Sequence, residues 1–315
     1  MARETLELFQ KGCLGTCWYG KYHYIEPWAG CGHDCHYCYA RFRSPVVAKL
    51  RQLGTTYDSP KPLFPESELP GRIAEGVRKH GVRIAKLCRY TDILNPAFVR
   101  SGLSFAILKT LAASPAQRII LTTKGLPDRR ILALIRERRD KFSYNAAVRP
   151  SAGLPLEPRL PPWEERLAAA ASLKKAGVLT TIHLDPVVAG IDDDPLILRP
   201  FLERLRRWGL LRVMFSYLLL CDDIMARLRD KLPRGLAERI VSSYDLARMD
   251  EYLPGQGETA SYSTRPGLKR ASVDRFAGTL REMGFEFVLC SLKSTPGRER
   301  GELRDAHPCD GTFYA

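Results

Sequence analysis

No run of apolar residues in this 315-residue chain is long enough to cross a bilayer as a helix, which excludes a helical membrane protein. Nothing at its start reads as a secretory leader. A disulfide framework belongs to small secreted chains with an even cysteine count, and this chain has 315 residues and nine cysteines. Reduced thiols, a soluble globular protein and a cytoplasmic home are therefore expected. No glycine-rich loop of the P-loop type appears either. Acidic residues are in deficit: 35 Asp and Glu against 49 Lys and Arg leave a formal charge of +14. That balance favours a polyanionic partner such as nucleic acid, although arginine-rich stretches such as Glu203–Arg207 read equally as solvated helix faces.

What is present is concentrated in Gly30-Cys31-Gly32-His33-Asp34-Cys35-His36-Tyr37-Cys38-Tyr39-Ala40. A CxxxCxxC spacing offers three thiolates to a [4Fe–4S] cluster and leaves the fourth iron for a ligand from elsewhere, so that a substrate or cofactor can bind metal directly. A structural zinc site instead closes four ligands, usually as paired CxxC units or CxxC with two histidines, and His33 and His36 sit inside the loop, too close to complete a second pair. A zinc-binding nucleic-acid module remains the non-catalytic alternative.

Short β-branched or aromatic runs alternate with amphipathic ones, which argues for a parallel sheet. Strands are expected at residues 22–27, 83–87, 118–122, 142–148, 179–188 and 211–219, and helices at 46–53, 68–79, 101–113, 129–138, 163–175 and 195–208. Six such units predict an α/β fold, a partial (β/α)6 TIM-like barrel over residues 22–220. An N-terminal extension (1–21) would precede it, and a C-terminal elaboration (221–315) would contain a charged helical tract at 222–252 and a final strand at 285–289 that rejoins the sheet. In such a barrel, site residues gather at the C-terminal ends of the strands. Those ends carry Cys88, Thr91 and Asp92; Thr123 and Lys124; Ser143 and Asn145; and His183 and Asp185, a set able to hold a ribose, a carboxylate and an amine. Taken singly, Thr91, Asp92 and Asp128 also suit helix N-caps, and the Asp192-Asp193-Asp194 run is read as capping rather than metal binding.

CxxxCxxC followed by an aromatic (Cys38-Tyr39) resembles the cluster loop of the radical S-adenosylmethionine enzymes. Within that superfamily the chain is similar to the spore photoproduct lyases and their lyase-like relatives from about Tyr24 to Ala189. The landmarks are Cys-His-Tyr-Cys-Tyr, Cys88 ahead of Thr91-Asp92, Thr123-Lys124, Phe142-Ser143-Tyr144-Asn145 and Arg166-Leu167-Ala168-Ala169-Ala170, in the lyase order. The resemblance implies that Cys31, Cys35 and Cys38 ligate the cluster and that Tyr39, Thr91, Lys124 and Ser143 contact S-adenosylmethionine, with Asp185 at the same face. It further implies that Cys88 returns a hydrogen atom to the product radical, assisted by Tyr37 and Tyr39. Nucleic acid is the implied substrate, and a flavodoxin or ferredoxin the implied electron donor; modification of a peptide or small metabolite is the enzymatic alternative. Two features depart from the lyases. The spacing from Cys88 to the Thr-Asp pair is one residue longer, and the C-terminal third shows no evident DNA-wedging hairpin, only Tyr262–Arg270, which reads as a basic phosphate-binding loop or a solvated turn.

Four further cysteines, Cys13, Cys17, Cys290 and Cys309, would hold an auxiliary cluster or zinc ion if the termini meet, against the simpler reading of unconnected thiols; Cys221 is read as core. Metal and sulfide analysis of anaerobically purified protein separates the readings of the main loop. About four irons per chain with matching sulfide are expected, and one zinc without sulfide would mark the non-catalytic module.

Overall fold

The computed structural model describes residues 6–11, 22–151, 153–251, 260–290, 309 and 313–314. Along the chain come β1 (Phe9–Lys11), β2 (His23–Ile25), β3 (Trp28–Ala29), α1 (Ser44–Leu53), β4 (Lys61–Pro62), α2 (Leu69–Lys79), β5 (Ile84–Leu87), α3 (Pro96–Ser101), α4 (Leu103–Ala113) and β6 (Arg118–Thr123). There follow α5 (Arg129–Glu137), β7 (Phe142–Val148), α6 (Trp163–Lys175), β8 (Leu179–Val187), α7 (Pro195–Arg207), β9 (Arg212–Tyr217), α8 (Asp222–Lys231), α9 (Arg234–Val241), β10 (Tyr244–Glu251), β11 (Ala260–Thr264), α10 (Pro266–Glu282) and β12 (Glu286–Leu289). An eight-stranded sheet runs β1-β2-β5-β6-β7-β8-β9-β12. All its neighbours are parallel except β1, which pairs antiparallel with β2.

The six expected core strands are thus β2, β5, β6, β7, β8 and β9, joined by helices that bury one apolar stripe each. β12 rejoins the sheet beside β9, as expected. The sheet is strongly curled. Five strand spacings separate β2 from β9, about 24 Å in a flat sheet, yet Tyr22 and Tyr24 next to and on β2 share one interior cluster with Met214 of β9 and with Cys309, Phe313 and Tyr314. Residues from the end of the chain therefore fill the inside of the barrel: the Tyr314 hydroxyl lies 2.5 Å from the Met214 sulfur, and the Lys86 ammonium sits 5.2 Å from the Tyr314 ring centre.

Local chemistry explains the elements that position the site. α6 follows Pro161-Pro162, carries Glu164 and Glu165 in its first turn and Lys174 and Lys175 in its last, and stops at Gly177 with φ 85°. Asp128 caps α5 by accepting from the Ile131 N–H at 2.8 Å, and Asp194 caps α7 by accepting from Leu196 N–H at 2.9 Å. Only that last carboxylate of the triple-Asp run is a cap. Asp192 is fully buried and accepts from Arg149, Ser151 and the Val188 N–H, while Asp193 pairs with Arg275 and the Gly190 N–H.

Several expectations are corrected. The helix expected at 101–113 is α4, and a short helix that was not expected, α3, ends just before it, where Gly102 takes φ 85° and turns the chain. The extension contributes β1 to the sheet. The charged tract is helical only through α9; β10 follows and pairs antiparallel with β11, so the C-terminal third does contain a hairpin. Consequently Tyr262–Thr264 lie in a strand and Pro266–Arg270 begin α10, with Lys269 only 4% exposed, and the segment is not a basic phosphate-binding loop. Among the described residues no helix is long and apolar enough to cross a membrane.

Candidate active site

The cysteine loop leaves the C-terminal end of β2. The β3–β4 pair clamps its start, where Gly30 has φ 87° and a Cβ would stand 2.7 Å from the Tyr57 carbonyl oxygen. That same oxygen accepts from the Cys31 N–H at 2.7 Å. Further on, His36 N–H bonds the Leu156 carbonyl at 3.0 Å and the Cys38 sulfur lies 3.2 Å from the Tyr57 hydroxyl. Asp34, itself at φ 54°, anchors the outer side through Arg227 of α8 at 2.5 Å, Arg41 at 3.4 Å and Arg159 at 3.6 Å. The loop is therefore held from three separate parts of the chain.

A cavity of about 220 Å³ opens beneath it, at the C-terminal ends of the parallel strands. Cys31, Cys35, Cys38, Tyr37 and Tyr39 line it from the loop. Cys88 and Thr91 after β5, Lys124 after β6 and Asp185 on β8 line it from the barrel. Ser143 is the exception. It sits near the start of β7, and since alternate residues of a strand share a face, Ala147 is the β7 residue that reaches the cavity. The Ser143 hydroxyl is buried below, without a hydrogen-bond partner, as is Thr181 Oγ1 of β8.

Three buried carboxylates tie these parts together, and two of them carry no sequence signal. Asp92 accepts from His33 of the cysteine loop (3.1 Å), from Thr123 Oγ1 and the Lys124 N–H of the β6 end (2.7 Å each) and from the Leu94 N–H of its own turn (2.8 Å). Burial works to raise its pKa, and the His33 and Thr123 contacts with the Lys124 amide overcome this and hold it below the ordinary carboxylate range. Glu157, in the loop between β7 and α6, accepts from the Tyr37 hydroxyl and pairs with Lys124 at 2.9 Å and Arg166 at 3.6 Å. Burial again opposes ionisation, but the Lys124, Arg149 and Arg166 cations pull Glu157 down to about 2. Glu26, just past β2, accepts from the backbone N–H of Arg89 and Tyr90 and lies 3.3 Å from the Thr91 hydroxyl. Lys124 completes its own set by donating to the Asp185 carbonyl at 2.8 Å, and Asp185 Oδ1 accepts from Ser216 at 2.7 Å.

The three loop thiols suit a polynuclear cluster. All three line one cavity, and they supply only three of the four ligands that a closed structural zinc site takes. Burial pushes the Cys31 and Cys35 thiols up, against the pull of the Lys124 ammonium on Cys35. Neighbouring groups offer hydroxyl, ammonium and carbonyl chemistry to a zwitterionic cofactor in the same space. Of the proposed auxiliary set, Cys13 and Cys17 lie outside the described residues. Cys309 is buried in the barrel interior, and Cys290 packs against that interior cluster and lines the cavity. Cys221 is half-buried at the N-terminus of α8, beside a groove shared with Tyr39 and Met249.

No family model and no curated protein matches the sequence. Among solved structures, the fold is similar to a spore photoproduct lyase mutant with bound S-adenosylmethionine and dinucleoside spore photoproduct: TM-score 0.62, 15% identity, 91% of this chain and 79% of that one. A second spore photoproduct lyase complexed with the dinucleoside photoproduct gives the same TM-score, 0.62, at 15% identity and with the same coverage of 91% and 79%. SuiB of Streptococcus suis bound to S-adenosylmethionine is similar at TM-score 0.52 and 9% identity, over 85% of this chain and 50% of that one. The chain thus has the partial-barrel fold of the radical S-adenosylmethionine enzymes.

Glu157 generates a test by titration. Its pKa is depressed on folding, so its stabilisation is fully present above the ordinary glutamate range and is lost as pH falls towards about 2. Glu157→Ala strands Lys124 and Arg166 and should cost about 3–5 kcal/mol at neutral pH. Denaturant unfolding of wild type and variant should show that gap narrowing below about pH 4; a gap independent of pH contradicts the ion-paired carboxylate.

Proposed function

We propose that this chain is a radical S-adenosylmethionine enzyme acting on a nucleic-acid or nucleotide-like substrate, in the manner of a photolesion lyase. The observation that carries the reading is the shared cavity: three thiols line it together with Tyr39 of the same loop and with Thr91, Lys124 and Asp185 from three strand ends. When bound, a [4Fe–4S] cluster on Cys31, Cys35 and Cys38 with S-adenosylmethionine supplies one-electron cleavage of the sulfonium and a 5′-deoxyadenosyl radical that takes hydrogen from substrate. A one-electron donor such as a flavodoxin or ferredoxin is required for that chemistry.

The chain's own residues orient and shield. Lys124, fixed between Glu157 and the Asp185 carbonyl, presents an ammonium suited to a cofactor carboxylate, and Thr91 presents a hydroxyl. Tyr39, within 3.4 Å of the Arg89 carbonyl, spans the cavity from the loop to the turn after Cys88. Tyr37 is locked on Glu157, with burial first among the causes that push its phenol well above the usual range, so it stays protonated. Burial does the same for the Cys88 thiol, which keeps its hydrogen available for return to a carbon radical. In that return the S–H bond breaks and the product C–H bond forms. Ser143, outside the cavity lining, is assigned no cofactor contact.

Support for a nucleic-acid-like substrate is independent of the cluster. Two of the similar structures hold a dinucleoside photoproduct, the chain carries a net +14, and the β10–β11 hairpin exposes Leu246 (44%) and Met249 (52%), the latter lining the groove at Tyr39. Cys88→Ala tests the assignment with dinucleoside spore photoproduct as the probe. Formation of 5′-deoxyadenosine should stay within about twofold of wild type while the repaired product falls about tenfold or more in favour of diverted products. Unchanged products would remove Cys88 from the hydrogen-return role.

A further inference from the structure

Cys88 has φ 60°, one of two non-glycine residues with positive φ among the described residues. For an L-residue the left-handed region costs roughly 1–2 kcal/mol, so something must hold it there. The preceding chain is anchored by the Cys88 N–H, which donates to the Ile25 carbonyl at 3.1 Å. The following chain is anchored by Glu26, the next residue along from Ile25. Its carboxylate gathers the N–H groups of Arg89 and Tyr90, the latter at 3.0 Å, and its second oxygen reaches the Thr91 hydroxyl at 3.3 Å. Thr91 in turn neighbours the Cys88 thiol. Glu26 is only 6% exposed; its side-chain hydrogen-bond partners are the turn itself, and Lys49 acts on it only through longer-range attraction.

We infer that Glu26 is the positioning residue for the Cys88 thiol. This role rests on the reading of Cys88 as a hydrogen donor. The turn that follows Cys88 is wrapped around a carboxylate, and the left-handed residue at its start lines the cavity.

The test uses the full chain and the variants Glu26→Gln and Glu26→Ala. Hydrogen exchange should show the Arg89 and Tyr90 amides losing about tenfold of their protection in Glu26→Ala, with an intermediate loss in Glu26→Gln. Iodoacetamide labelling followed by peptide mass spectrometry should show the Cys88 rate changed by about the same factor while Cys221 and Cys309 label as in wild type. With dinucleoside spore photoproduct, Glu26→Ala should lower the ratio of repaired product to 5′-deoxyadenosine formed, and Glu26→Gln should restore much of the normal partition. Wild-type exchange and Cys88 labelling in a folded Glu26→Ala protein would overturn the positioning role. Loss of 5′-deoxyadenosine from wild type itself would instead overturn the radical reading, leaving the exchange and labelling arms to decide on Glu26.

Discussion

The contact between Asp92 and His33 joins the cysteine loop to the barrel, and the rest of the site is arranged around it. Asp92 is buried and accepts four hydrogen bonds, from the loop, the β6 end and its own turn. A carboxylate withdrawn from water is tolerated only when its lone pairs are filled, so the side chains that fill them cannot drift independently. Fixing Asp92 therefore fixes the distance from the thiols to Thr123 and Lys124. Lys124 then carries the constraint across the cavity to Glu157 and the Asp185 carbonyl.

Parallel strand polarity makes such a network available. The parallel strands β2, β5, β6, β7, β8 and β9 all deliver their C-terminal ends to the same rim, so residues as far apart in sequence as Cys31 and Asp185 line one cavity without long excursions. The opposite problem, an open seam and an unfilled interior, is met by β12 on one edge, β1 on the other, and by Phe313 and Tyr314 inside. Buried carboxylates add little net stability in such places because desolvation offsets their attraction. Their use here is positional: Asp92 and Glu157 each bind groups from two or more chain segments, and Glu26 gathers the turn that follows Cys88.

The six core strands and most of the helices were legible in the sequence, because strand and helix periodicity survive at this length, and nine of the ten expected site residues line one cavity. Other features were not. Helix α3 has only six residues, too few for its periodicity to show in the sequence, whereas α4 beyond Gly102 was legible. β10 lies in a run rich in charge, and its pairing with β11 depends on a partner at least nine residues away. Glu26 and Glu157 occupy no motif; their role exists only once the barrel brings Thr91 and Tyr37 beside them. Ser143 entered through resemblance, and strand alternation shows why it misses the cavity: it lies two pairs of residues below Ala147 on the same face.

The central claim is that the three-thiol loop and the cavity below it cleave S-adenosylmethionine. Its most direct measurement is quantification of 5′-deoxyadenosine after anaerobic reconstitution with iron and sulfide, reduction, and addition of S-adenosylmethionine, for wild type beside Cys38→Ala. The account predicts 5′-deoxyadenosine from wild type and none from the variant. A wild-type protein that carries its full complement of iron and sulfide, binds S-adenosylmethionine and releases no 5′-deoxyadenosine would contradict it.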